Sequence, residues 1–104
     1  MDKVKLFRCL ADENRMRIIQ LLSERKYCVK TLAKQLGISE PAVSQHMRLL
    51  KEAGLIVAGD KNGYNVHYAV NKDKLTELSR VVAGMAEKVQ AERPCGGNCR
   101  KEKK

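Results

Sequence analysis

Four cysteines are the residues of this 104-residue chain best suited to chemistry: Cys9, Cys28, Cys95 and Cys99. The stretch PCGGNC, residues 94–99, holds two of them around Gly96 and Gly97. Glycines let a chain curl tightly, so both sulfurs can face one point. In a reducing compartment disulfides rarely persist, and such cysteines more often serve metal or redox chemistry.

Cys28 lies where a short helix, VKTLAKQL, is predicted to begin. A helix N-terminus lowers a cysteine pKa, and we expect Lys26 and Lys30, close in sequence, to lower it further. Thiolates from Cys28, Cys95 and Cys99 would suit As(III) or Sb(III), and a fourth ligand would suit Cd(II), Pb(II) or Zn(II). Cys9 is expected to be a buried small hydrophobic residue, or else that fourth ligand near the dimer interface.

Two other interpretations of the thiols stay open at this point. Cys95 and Cys99 could form a disulfide, or an oxidised Cys28 could be resolved by one of them, which would make the protein a redox sensor. Alternatively, Cys95 and Cys99 are incidental residues of a flexible end and have no structural role.

The length of 104 residues fits one domain, which we expect over residues 1–91, followed by a Cys-containing basic C-terminal tail over 92–104. The patterns described below predict that this domain binds DNA and dimerises. Net charge is +9, from 21 Lys and Arg against 12 Asp and Glu, which favours nucleic acid as partner over a merely solvated basic surface. No apolar run reaches the roughly 18 residues that a membrane span needs. No secretory leader is recognised, so a cytoplasmic location without membrane contact is expected.

Hydrophobic periodicity predicts four short helices, then two strands joined at Asn62-Gly63, then a long final helix. Asp12 and Ser39 are predicted N-caps, and Gly37 and Gly54 are predicted to end helices. The fold class is mainly α with a β-hairpin wing (α+β), in the order α-α-α-α-β-β-α. Two helices joined by the turn GIS and followed by a hairpin predict a winged helix-turn-helix.

The second helix of such a pair enters the DNA major groove. With Val43, Met47 and Leu50 turned inward, its polar side chains face outward and suit base edges and phosphates. The wing tip would add phosphate contacts. The predicted DNA-binding residues are Ser39, Glu40, Ser44, Gln45, Arg48, Lys51, Lys61 and Tyr64.

The final helix, predicted over about 72–91, carries apolar residues at intervals of 3, 4, 3 and 4. Such a seam is typical of a helix that meets a partner, and small single cores gain from pairing. We therefore predict a homodimer, with packing on the helix's own domain as the alternative. The seam residues are Leu75, Leu78, Val82, Met85 and Val89.

The stretches LADENRMRIIQLL, VKTLAKQLGISEPAVSQHMRLLKEAGLI and DKNGYNVHYAV resemble, in order, the ArsR/SmtB family of winged-helix repressors. The resemblance covers roughly residues 4–82. It implies a homodimer whose first and last helices form the interface, which adds Val4 and Phe7 to the predicted contact. It also implies a repressor of a palindromic operator on double-stranded DNA that is released by a metal ion, a metalloid or an oxidant.

Departures from the family pattern reduce the number of inducer-site types that are expected in this chain. The last helix contains no histidine, so the Asp and His zinc site of some members is not expected. Lys30 stands where a second cysteine of a Cys-Val-Cys site would be. His46 and His67 are expected to be structural, because neither has a second ligand at helix or strand spacing.

The sequence predicts a repressor released by a thiophilic ion, As(III) favoured, with no cofactor needed for DNA binding. Enzymatic motifs such as a phosphate-binding loop are absent, so no catalytic activity is expected. A redox-sensing repressor of the same fold and a non-sensing DNA-binding protein are the alternatives.

Overall fold

The computed structural model describes residues 2–62, 65–89 and 92–97, apart from the side chains of residues 60–62 and 65. Its elements follow the predicted order of four helices, two strands and one helix, and the predicted fold class is confirmed. In the part described, no helix is long and apolar enough to span a membrane. The elements are α1 Lys3–Leu10, α2 Glu13–Glu24, α3 Val29–Leu36, α4 Glu40–Glu52, β1 Ile56–Asn62, β2 Asn65–Val70 and α5 Lys72–Glu87.

Side-chain caps fix where the helices begin. The Asp12 carboxylate accepts hydrogen bonds from the backbone N–H groups that open α2, and the Ser39 hydroxyl accepts one from Ala42 at 3.2 Å. Both predicted caps are confirmed. Gly37 ends α3 with φ of 70°, a left-handed conformation that favours glycine. The tight turn that follows therefore brings α4 against α3.

One apolar core joins α1, α2, α3, α4, the start of β1 and one residue of α5. Leu55 and Ile56 enter it directly after α4, so the wing is attached to the core at its base. Since burial of apolar surface drives folding, this core fixes where α4 points. The buried residues are Leu6, Ile18, Ile19, Leu22, Leu32, Ala33, Leu36, Val43, Met47, Leu50, Ala53, Leu55, Ile56 and Leu78.

The wing is an antiparallel hairpin with a β-bulge that the sequence pattern did not predict. Ala58 pairs with Tyr68, but Lys61 pairs with Val66, so β1 carries one extra residue between them. A Cβ on Gly59 would lie 2.9 Å from the backbone oxygen of His67. Glycine is therefore needed where the two backbones approach within the bulge.

The last helix is shorter than predicted. α5 ends at Glu87, because Lys88 and Val89 donate to carbonyls three residues back, at Met85 and Ala86. The prediction of a helix to about residue 91 was therefore wrong, and Val89 lies beyond the helix. The predicted apolar seam of α5 does not lie wholly on the surface, because Leu78 is 3% exposed and belongs to the domain's own core.

Candidate nucleic-acid interface and thiol site

The predicted recognition helix, α4, presents a polar face to solvent. Val43, Met47 and Leu50 are buried beneath it. Because these three anchors lie at helical spacing, the side chains on the opposite side of the helix must point away from the core. The structure thus places four predicted DNA-binding residues together on one exposed surface: Ser44, Gln45, Arg48 and Lys51.

Two further predicted DNA-binding residues lie at the N-terminus of α4. The Ser39 hydroxyl accepts the capping hydrogen bond, which leaves its proton available to an acceptor outside the helix. Glu40 is exposed in the first turn, where a carboxylate also favours the helix dipole.

A cleft of about 160 Å³ separates α4 from the base of the wing. Ser44, Arg48 and Lys51 line it from the helix, and Tyr68 lines it from β2. The Lys51 ammonium lies 5.9 Å from the centre of the Tyr68 ring, within cation–π range. The wing strand therefore helps to orient a basic side chain of the recognition helix. Tyr64 and the side chain of Lys61 lie outside what the structure describes.

Cys28 is the N-cap residue of α3 and is half buried. Its sulfur lies 3.5 Å from the Thr31 hydroxyl. The pKa of Cys28 is lowered, first by that hydroxyl and then by backbone N–H groups of Thr31 and Lys30. The predicted direction and the predicted effect of the helix N-terminus are confirmed. The further cause is the Thr31 hydroxyl rather than the predicted lysine charges.

Cys28 is linked through the backbone to the wing. The carbonyl of its neighbour Tyr27 accepts a hydrogen bond from the N–H of Tyr68 at 3.1 Å, which makes an isolated bridge between the α2–α3 connection and β2. Tyr68 is the residue whose ring faces Lys51. Cys28 is therefore connected to α4 through two contacts, the Tyr27–Tyr68 hydrogen bond and the pairing of Tyr68 with Lys51.

Cys9 is half buried near the end of α1 and donates from its thiol to the backbone oxygen of Leu49, at 3.7 Å. Burial raises the pKa of Cys9, although Arg15 acts in the opposite direction. Cys9 therefore stays a protonated thiol near neutral pH. The expectation of a small apolar residue fits this position better than that of a metal ligand.

Within the part of the chain described, Cys95 is not brought into a formed metal site. Cys95 is exposed and donates to the backbone oxygen of Gly97 at 3.3 Å. No three His, Cys, Asp or Glu side chains within residues 2–62, 65–89 and 92–97 lie close enough together to hold one ion. Cys99 lies outside the described residues.

Large apolar side chains remain exposed on α1 and along the end of α5. Phe7 and Leu75 are half buried against the core, whereas the other predicted interface residues apart from Leu78 face solvent in the single chain. The exposed members of the predicted interface are Val4, Val82, Met85 and Val89.

Three features of this region escaped the sequence analysis: the Thr31 contact to Cys28, the Tyr27–Tyr68 bridge, and hydrogen bonds that Arg15 makes to α1 and α4. The contact between Thr31 and Cys28 lies within one helical turn, so a Cys-x-x-Thr spacing at the start of a helix could have indicated it. The Tyr27–Tyr68 bridge and the Arg15–His46 contact join segments that are distant in sequence.

Residues 12–57 match the sequence model described as "Bacterial regulatory protein, arsR family". The chain is 44% identical over 69 residues to the "Arsenical resistance operon repressor" of Escherichia coli (strain K12), covering 65% of this chain and 58% of that protein. It is 30% identical over 79 residues to an uncharacterized HTH-type transcriptional regulator of Methanocaldococcus jannaschii, covering 75% of this chain and 88% of that one.

The fold is similar to a solved structure described as a possible transcriptional regulator for arsenical resistance. That likeness has a TM-score of 0.69 and 30% identity, and it covers 82% of this chain and 84% of the other. The matching proteins are transcriptional regulators rather than enzymes. The chain spans less than two thirds of the arsenical resistance repressor.

Proposed function

The chain belongs to the ArsR family of winged helix-turn-helix transcriptional regulators, and we propose that it is a cytoplasmic repressor released from its operator by a thiophilic metal or metalloid ion. The main support for DNA binding is the exposed polar face of α4, which lies opposite a buried apolar stripe. It consists of Ser44, Gln45, Arg48 and Lys51. Net charge of +9 supports a polyanionic partner.

The operator is a palindromic double-stranded site read by a homodimer. The exposed residues Val4, Val82, Met85 and Val89 form the contact between two copies. A two-fold dimer places its recognition helices in successive major grooves, about 34–36 Å apart along the duplex. Gln45 can then read adenine, while Arg48 can read guanine or hold phosphate.

The inducer binds to cysteine thiolates, with As(III) favoured and Sb(III), Cd(II), Pb(II) or Zn(II) as further candidates. Cys28 supports this proposal, since its lowered pKa raises the fraction of thiolate at neutral pH. Cys95 and Cys99 supply the remaining sulfurs. Similarity to a repressor named for arsenical resistance favours As(III) among soft ions.

Ion capture weakens DNA binding through the contacts around Cys28. Capture draws the tail cysteines to Cys28 at the start of α3. That movement strains the Tyr27–Tyr68 hydrogen bond and, beyond it, the pairing of Tyr68 with Lys51. The two recognition helices are then held at a spacing that no longer fits the operator.

DNA binding is tested first, by fluorescence anisotropy on a palindromic duplex that the protein selects from a random pool. We expect tight binding that falls steeply with salt and weakens when the two half-sites are scrambled. Equal binding to the selected and scrambled duplexes would show a non-sensing DNA-binding protein instead.

Ion binding is tested separately, by ultraviolet absorption of sulfur-to-ion charge transfer as reduced protein is titrated with As(III) and Cd(II). We expect one ion per protomer in the wild type and in Cys9→Ser, the matched control. Cys28→Ser should lose that saturable step. An unchanged titration in Cys28→Ser would remove Cys28 from the site.

A redox sensor of the same fold is the second candidate, and the lowered pKa of Cys28 favours it too, since thiolates oxidise faster than thiols. Release of DNA by a mild peroxide, reversed by a thiol reductant, with no release by As(III) or Cd(II), would establish this function instead.

A further inference from the structure

Arg15 connects the last turn of α1 to the middle of α4. Its Nε donates to the backbone oxygen of Cys9 at 2.6 Å, and its Nη1 lies 3.2 Å from Nδ1 of His46. The final carbonyls of a helix have no partner within the helix, so Arg15 satisfies one of them while it holds the recognition helix. One side chain thus joins three helices.

The start of α2 holds Arg15 in place. Asp12 Oδ1 accepts from the backbone N–H of Asn14 at 2.9 Å and of Arg15 at 3.1 Å. The second of these contacts is the largest of the causes that lower the pKa of Asp12, so its carboxylate stays charged near neutral pH. The same carboxylate oxygen lies 4.0 Å from His46 Nδ1. The Asp-x-x-Arg spacing therefore sets both groups beside one histidine nitrogen.

This contact assigns the hydrogen-bonding role of His46 Nδ1. A guanidinium group can only donate hydrogen bonds, so Nδ1 must accept, and the ring proton lies on Nε2. The groups that face His46 Nδ1 are Arg15 and Asp12, both from the start of α2.

His46 lies on the side of α4 that faces α1 and α2. It is half buried, whereas its neighbour Gln45 is exposed. One turn further along α4, the backbone oxygen of Leu49 accepts the thiol of Cys9. Residue 9 is therefore tied to α4 twice, once through its own thiol and once through Arg15. Val4, on the exposed apolar surface, belongs to that same short helix.

We propose that Arg15 is a positioning residue for DNA recognition, which fixes the angle between α1 and α4 by donating to His46. It does not touch DNA. In the dimer, α1 is part of the contact between the copies, so this angle sets the distance between the two recognition helices. The inference rests on the proposed function, namely DNA reading by a dimer through α4.

The test measures how DNA affinity depends on half-site spacing. A set of duplexes carries the selected palindrome with base pairs added or removed at its centre, one at a time. A rigid dimer prefers one spacing, because the recognition helices must enter both grooves together. We expect the wild type to show a sharp optimum, and Arg15→Met and His46→Leu to lower affinity at that optimum by roughly 5–150-fold while losing the preference.

Conservative and control variants separate positioning from folding. His46→Asn keeps an acceptor near the place of Nδ1 and should keep the spacing preference. Arg17→Met removes an exposed arginine of the same helix, whose only described hydrogen bond is to Gln35 at 3.4 Å, and should behave as the wild type.

Three results would decide the matter. If wild-type protein selects no palindrome, the proposed function fails, and the inference falls with it. If the wild type shows a spacing optimum that Arg15→Met and His46→Leu share, Arg15 is structural only and the inference is overturned. If Arg15→Met fails to fold, the His46→Leu and His46→Asn pair decides, since the inference requires loss in the first and retention in the second.

Discussion

The substitution Val82→Glu is predicted to break the dimer while leaving each protomer folded. Val82 is 49% exposed on α5 in the single chain, so about half of its side chain remains for a partner to bury. Complete burial of a valine stabilises by about 1.5–3 kcal/mol, which gives roughly 0.7–1.5 kcal/mol for each copy. Two-fold symmetry doubles this to roughly 1.5–3 kcal/mol.

Because every 1.4 kcal/mol is a factor of ten, the dimer dissociation constant should rise by at least about 10- to 150-fold. Burial of two carboxylates raises it further, so the range is a lower bound. Glutamate is a good helix former, so α5 itself should persist.

Sedimentation over a dilution series measures the dissociation constant, and circular dichroism checks the fold. Val57→Glu is the matched control, since Val57 is 47% exposed but lies on β1, in the wing. The reasoning is refuted if Val82→Glu stays within about threefold of the wild type, or if Val57→Glu dissociates the dimer equally.

Three further predictions concern the wing, the recognition helix and the thiols. Gly59→Ala should destabilise by about 1–3 kcal/mol in thermal unfolding, because its Cβ would meet the His67 carbonyl at 2.9 Å; a melting temperature equal to the wild type would contradict this. Arg48→Ala should weaken binding to the selected duplex by about 1–3 kcal/mol and relax specificity at one base position, measured by anisotropy on single-base variants; uniform weakening would assign it to phosphate. Since its pKa is lowered and that of Cys9 is raised, Cys28 should alkylate with iodoacetamide at lower pH than Cys9, followed by mass spectrometry; the reverse order would refute both assignments.

Features set within one or two helical turns were predictable from the sequence. Asp12 and Ser39 cap their helices as expected, because the capping residue and the N–H it accepts from are neighbours in the chain. The buried stripe of α4 followed from spacing alone, and it placed the outward face correctly.

Features that depend on other segments were not predictable. Met16 fits the helical stripe of α2, yet it is 39% exposed. The bulge at Gly59 depends on the register of the opposite strand. Leu78 and Met85 belong to the same apolar seam in the sequence. Tertiary packing buries Leu78 but leaves Met85 exposed.

The thiol site was predictable only in part. Residue type and spacing single out Cys28, Cys95 and Cys99, but no pattern gives the distance from Cys28 to a cysteine more than 60 residues away. The Arg15–His46 contact likewise joins residues 31 positions apart.

The central claim is that an ion bound by Cys28 lowers the affinity of the protein for operator DNA. One titration tests this claim most directly. Reduced wild-type protein, Cys28→Ser and Cys9→Ser are each bound to the labelled duplex and titrated with As(III). We expect all three to bind DNA alike, and As(III) to weaken binding of the wild type and Cys9→Ser by roughly 5–150-fold, corresponding to about 1–3 kcal/mol of coupling, while Cys28→Ser stays bound. Release of Cys28→Ser at the same As(III) concentration as the wild type would contradict the account.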